Sequence, residues 1–216
     1  MTQAYAASKL STPTRYRDRA GYDKAAVHDV LDQALHCDVT FIREGRPISL
    51  PTMHARGGET IYIHGSTGGR FALLDGEPIC ITVTLLDALV LARSWMHHSV
   101  GYRSVVAQGQ ARIVRDPEER LAAMRTLIDK MYPGRSAESR PPTAKEDAAT
   151  AIVALDLETV SLKSRGDQVA DDESDLDGPH WAGTIPLTTN RELPRTAPDV
   201  PQDIAIPAAL MCGGIG

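Results

Sequence analysis

The chain has 216 residues, of which only three are cysteines and 5% are aromatic. Cys37, Cys80 and Cys212 are too few and too irregularly spaced for a disulfide framework or a cysteine-based metal cluster. Cys37 and Cys80 fall in strand-like runs and read as small buried hydrophobes. No stretch approaches the roughly 18 consecutive apolar residues that a membrane-spanning helix requires. The opening MTQAYAASKL has no apolar signal core and no cleavage pattern, so a cytoplasmic location is expected. Basic residues are outnumbered, 23 against 28, and the net charge of −5 argues against a general affinity for nucleic acid. Also missing are a GxSxG elbow, a catalytic Cys/His pairing, a Walker loop and a dinucleotide-binding glycine fingerprint.

What remains is an ordinary globular composition, with 42% hydrophobic and 24% charged residues. Three parts are expected: an extended arm over 1–23, one domain over 24–190 and a loose tail over 191–216. Val27, Val30, Leu31, Ala34 and Leu35 repeat at helical spacing within 25–35. Short β-rich runs follow near 37–43, 47–55 and 60–64, separated by Glu44-Gly45 and Arg56-Gly57-Gly58. A brief helical stretch is expected near 70–74, then two strands near 78–85 and 88–94. One long strand is expected over 102–114, with a bend or bulge at Gly109. Asp116-Pro117 opens a helix over about 118–131, with Glu118 and Glu119 at its positive end. A polar loop over 134–146 and a last strand over 151–163 complete the pattern, followed by an irregular acidic segment over 166–179. Six or seven strands with few intervening helices favour a barrel over a βαβ sheet.

Four clusters carry possible chemistry. In Tyr62-Ile-His64-Gly65-Ser66-Thr67-Gly68-Gly69-Arg70 a strand enters a glycine-rich turn before a short helix. Freed backbone amides, the Ser66 and Thr67 hydroxyls and the Arg70 guanidinium could meet a phosphate, although the same residues also suit a plain hairpin corner. His97-His98-Ser99-Val100-Gly101-Tyr102-Arg103-Ser104 is dense in hydrogen-bonding groups, but adjacent histidines on a strand face opposite ways and no metal site is expected. Lys163 and Arg165 alternate onto one strand face, where they are either solvated or line an anion. Trp181, in Gly178-Pro-His180-Trp181-Ala-Gly183, is either a core plug or a lid over a planar ligand.

Together these stretches resemble the pyridoxamine-phosphate-oxidase-like superfamily, in its flavin-nucleotide-binding branch with nitroimidazole-resistance-type reductases. The resemblance rests on ISLPTMHAR (48–56), YIHGSTGGR (62–70), VTLLDALVLARS (83–94), HHSVGYRSVVAQGQARIV (97–114), MYPGR and SRPPT within 131–143, SLKSRG (161–166) and GPHWAG (178–183). It implies a mainly β, six-stranded split barrel with FMN at the interface of a homodimer. The phosphate is expected at Gly65, Ser66, Gly69 and Arg70, and the ring system along Pro51 and Thr52 with Thr82 and Thr84 nearby. Tyr102, Arg103, Ser104 and Lys163 are expected around the cofactor, and Trp181 over the partner's site. His64 matches a histidine beside the flavin and is the candidate proton donor, the alternative being a role in holding the phosphate turn. Gly101 departs from the family, which carries an amide side chain there. The implied function is an FMN-dependent oxidoreductase acting on a small electrophile with a nicotinamide donor. The alternative is a non-catalytic flavin- or haem-binding module on the same barrel. True pyridoxamine-phosphate oxidation is disfavoured, since the arginine-rich ending of that subfamily is absent.

Overall fold

The computed structural model describes residues 3–211, so Cys212 lies outside the described residues. In chain order the strands are β1 (Ala20–Gly21), β2 (His36–Arg43), β3 (Arg46–Gly57), β4 (Thr60–Ser66), β5 (Pro78–Leu91), β6 (Ser99–Gln110), β7 (Arg112–Ile113), β8 (Thr150–Asp156), β9 (Thr159–Arg165) and β10 (Gly183–Pro186). The helices are α1 (Lys24–Gln33), α2 (Pro117–Met131), α3 (Ala144–Ala149) and α4 (Ala208–Met211). All strand pairs are antiparallel, in the order β1-β9-β6-β5-β2-β3-β4-β8-β7, with β10 beside the end of β5. This is the split barrel that the sequence resemblance implies, with ten strands in place of six because β1, β7 and β10 are short additions and the last expected strand is divided into β8 and β9.

Alternation builds the barrel. Cys37, Val39 and Phe41 of β2, Ile79, Ile81 and Val83 of β5, and Val105 and Ala107 of β6 are buried and form the interior. Val27, Val30 and Leu31 lie on one side of α1 and join the same core. The helix is set by Asp23, whose carboxylate accepts from the Ala26 N–H at 2.9 Å. On the far side, α2 covers Ile152 and Ala154 of β8 through Ala123 and Met124. Its start is capped by Asp116, which accepts from the Glu119 N–H.

Several expected elements differ. The strands expected near 78–85 and 88–94 are one strand, irregular only between Leu86 and Ala88. The last strand is two, because the chain leaves β8 at Leu157, whose N–H donates to the Glu59 carbonyl, and enters the other half of the sheet as β9. Gly109 is not a bulge: it sits in register opposite Ile79. A β-carbon there would lie 2.9 Å from the Leu155 side chain, so close packing requires the glycine. The loop after α2 contains α3, started by a capping box between Thr143 and Glu146. The amino-terminal arm folds back, with Tyr5 7% exposed and its hydroxyl 3.0 Å from both His28 and Glu59. Among the described residues no helix is long and apolar enough to cross a membrane.

Candidate functional site

The expected cofactor residues fall into three groups. The first is a cross-strand field on the outer face of the barrel. Asp38 pairs with both Pro51 and Thr82, and in the next row Thr84, Ser104 and Lys163 stand opposite one another. Tyr102 follows one row further along, opposite Leu86 and Arg165. The hydroxyls of Thr84 and Ser104 and the Lys163 ammonium make no hydrogen bond among the described residues.

The second group is the turn from His64 to Arg70. Three of its backbone amides are already engaged. The Thr67 N–H donates to Ala149 O at 2.9 Å, the Gly68 N–H to Ser66 Oγ at 3.2 Å, and the Gly69 N–H to Ser66 O at 2.8 Å. Three amides of the expected nest are therefore spent, one on Ala149 and two within the turn. What stays available for an anion is the Ser66 hydroxyl proton and the Arg70 guanidinium, which is exposed and forms no ion pair or hydrogen bond among the described residues. His64 is exposed as well and makes no hydrogen bond to the turn. Two strands, β2 and β3, separate β4 from β5, and β3, which carries Pro51, pairs directly with β4.

The third group lies elsewhere. Thr52 pairs with buried Cys37, which puts it on the opposite face of β3 from Pro51. Arg103 points to the α1 side, donating to Asp87 at 2.9 and 3.1 Å, to Asp29 at 3.2 Å and to Gln33 at 3.2 Å. Its guanidinium is held further toward the cation by the Asp87 hydrogen bond. This structural tie across the β5 irregularity takes Arg103 away from the outer-face rows, which Lys163 serves instead. Trp181 is 68% exposed and lies against the backbone of Gly183, where a β-carbon would be 2.5 Å from the indole. It is not a core plug. At Gly101 a β-carbon would make ordinary contact with Ala88 and the backbone of Asp167 at 3.5 Å.

Sequence reasoning missed a feature at the start of β6. Trp95 and Met96, in the 3-10 turn Trp95–His97, are 95% and 88% exposed. Beside them, the His98 Nδ1 is 2.8 Å from the Ser94 carbonyl. A carbonyl only accepts, so Nδ1 carries the proton and the lone pair is on Nε2, the state in which an imidazole binds a metal. The adjacency of the two histidines gave no sign of this, because the Ser94 contact comes from the turn. An open cleft of about 1000 Å³ is lined by Thr40, Cys80, Gln108 and Thr159 among others and touches none of the expected cofactor residues.

The family model described as pyridoxamine 5'-phosphate oxidase matches residues 23–164. The flavocytochrome Anf3 from Azotobacter vinelandii is similar at 35% identity over 97% of this chain and 98% of its own, with a TM-score of 0.90. The FAD and haem binding protein from Mycobacterium smegmatis is similar at 35% identity over 90% of this chain and 98% of its own, with a TM-score of 0.85. A candidate 5-nitroimidazole antibiotic resistance protein from Bacteroides thetaiotaomicron shares the fold at 20% identity, over 65% of this chain and 83% of its own, with a TM-score of 0.54. No curated protein matches the sequence. With the family's pattern running through the whole barrel from α1 to β9, the chain belongs to the pyridoxamine 5'-phosphate oxidase family.

Proposed function

We propose that this protein is a flavin- and haem-binding redox protein of the flavocytochrome kind, working as a homodimer. The observation that carries the reading is similarity along nearly the whole of both chains to two proteins whose descriptions name haem or cytochrome together with flavin. The nucleotide is read as FAD, following the description of the Mycobacterium protein; FMN is the competing outcome, favoured by the single anion turn and the lack of an adenylate fingerprint.

The donor set fits both groups. For the flavin phosphate, Ser66 contributes a hydroxyl and Arg70 a forked cation, neither engaged elsewhere as a donor. Gly65 and Gly69 flank them, and Pro51, Thr82, Thr84, Ser104 and Lys163 offer the flat outer face for the ring. Trp181, exposed and fixed on Gly183, is the aromatic that reaches a second copy. For haem, His98 offers Nε2 with its other nitrogen already anchored, and Trp95 and Met96 supply apolar surface beside it.

The bound groups would supply electron transfer, and the protein their binding, orientation and electrostatics. Electrons would come from a nicotinamide donor and pass to a small electrophilic acceptor. His64, exposed and unengaged, is the group placed to give or take a proton at its ring. The test is an absorption spectrum of the protein as purified and of His98→Ala. The wild type is expected to show a haem Soret band above the flavin bands. The variant is expected to lose the Soret band and keep the flavin. A Soret band of equal strength in both would remove His98 as the ligand, and none in either would remove haem.

A further inference from the structure

We propose that His97, Asp172 and Asp175 form a site for a divalent transition-metal ion, zinc first, that pins the acidic segment after β9 onto the turn before β6. The three side chains come from parts of the chain about 75 residues apart, yet one ligand atom from each lies within 4.8 Å of the others. Two 3-10 turns bring this about. Trp95–His97 presents the imidazole, and Glu173–Asp175 presents the carboxylates. Asp172 immediately precedes the second turn and Asp175 ends it, and their carboxylates approach the same imidazole.

The imidazole is set for ligation by its surroundings. His97 Nδ1 is buried and has no hydrogen-bond partner, and the nearest charged group to it is Asp171 Oδ1 at 4.0 Å. The Asp171 carboxylate is 1% exposed and is held by Arg93, through its N–H at 2.9 Å and Nη1 at 2.7 Å. The other ring nitrogen, Nε2, faces the acidic segment. That nitrogen is 3.8 Å from Asp172 Oδ1. One nitrogen and two oxygens suit zinc, with water completing a four-coordinate shell. The local charge favours a cation too: Asp171, Asp172, Glu173, Asp175 and Asp177 lie in one stretch, and within it only Asp171 pairs with an arginine. The ligands are distant in sequence, so the local spacing around His97 and His98 could not reveal them.

The experiment is calorimetric titration of zinc chloride into the full-length protein, first freed of metal with a chelator, together with melting curves with and without zinc. One equivalent per chain is expected, with a raised melting midpoint. Asp172→Asn, a change at a carboxylate 74% exposed, and His97→Ala are each expected to weaken binding at least tenfold and to abolish the shift in melting. Asp172→Asn keeps the test valid if His97→Ala does not fold. No zinc uptake by the wild type, or unchanged affinity in Asp172→Asn, would overturn the assignment.

Discussion

Replacing Arg70 by alanine is expected to weaken flavin binding by about ten- to a hundredfold while the fold stays intact, the effect of losing one charge-assisted contact of about 1.5–3 kcal/mol. The expectation follows from the hydrogen bonds of the turn. Because the amides of Thr67, Gly68 and Gly69 are spent on Ala149 and Ser66, the guanidinium carries more of the anion's binding than a free-amide nest would leave to it. Arg70→Lys keeps the charge, loses the fork and should recover only part of the affinity. Arg70 makes no hydrogen bond or ion pair among the described residues, so the folded state loses little on its removal. Equilibrium flavin titration of the three proteins, with circular dichroism as the folding control, measures this. A change below about twofold would remove Arg70 from the site. Lys163 on the outer face would then be the next cation to test, since Arg103 is tied to α1.

Acid is expected to destabilise the protein through His54. This side chain is fully buried, with Nε2 donating to Leu31 O at 3.0 Å and Nδ1 without a partner. The Lys130 ammonium donates to the same carbonyl at 2.8 Å and to Asp32 O, closing the end of α1. Burial first, and then the Lys130 charge, push His54 down from 6.5 to about 4. A second ring proton would therefore have to sit in an apolar interior beside a cation. A histidine lowered in this way gives its full stability above the unfolded value. The contribution is lost as pH falls from about 6.5 toward 4, because the unfolded chain then binds the extra proton. By pH 5 the loss is about 2 kcal/mol, and in full it is about 3 kcal/mol. Urea unfolding of the wild type and of His54→Leu at pH 7.5 and pH 5 isolates the effect. The variant should lose less stability between the two conditions by about 2 kcal/mol. Equal losses would mean that His54 is not the titrating group.

Much of this fold could be read from the sequence, and the exceptions have physical causes. α2 was legible because Asp116 and Pro117 mark its start and Leu127 keeps the helical spacing into the core. The break between β8 and β9 was not, since Ala151 to Leu155 are all buried, the barrel taking one face and α2 the other. Alternation carries no boundary signal in a strand covered on both sides. That the two strands expected near 78–85 and 88–94 are continuous was not legible, because an acid in mid-strand suggests solvent, yet Asp87 is the partner of Arg103. α3 could have been found, as Thr143 followed by Glu146 is a capping-box pattern. The glycine-rich turn between β4 and the 3-10 helix Arg70–Leu73 was legible, but not its internal hydrogen bonds. The resemblance places Thr52 with Pro51 and Arg103 with Ser104, and in the structure the members of each pair face opposite sides of their strands.

The central claim is that one protein holds flavin and haem in a dimer. Native mass spectrometry of the protein as purified tests it most directly, since the intact mass counts chains and cofactors together. The account predicts two chains carrying FAD and haem, with FAD recovered when the assembly is denatured. Bare chains that take up neither group when both are supplied would contradict it.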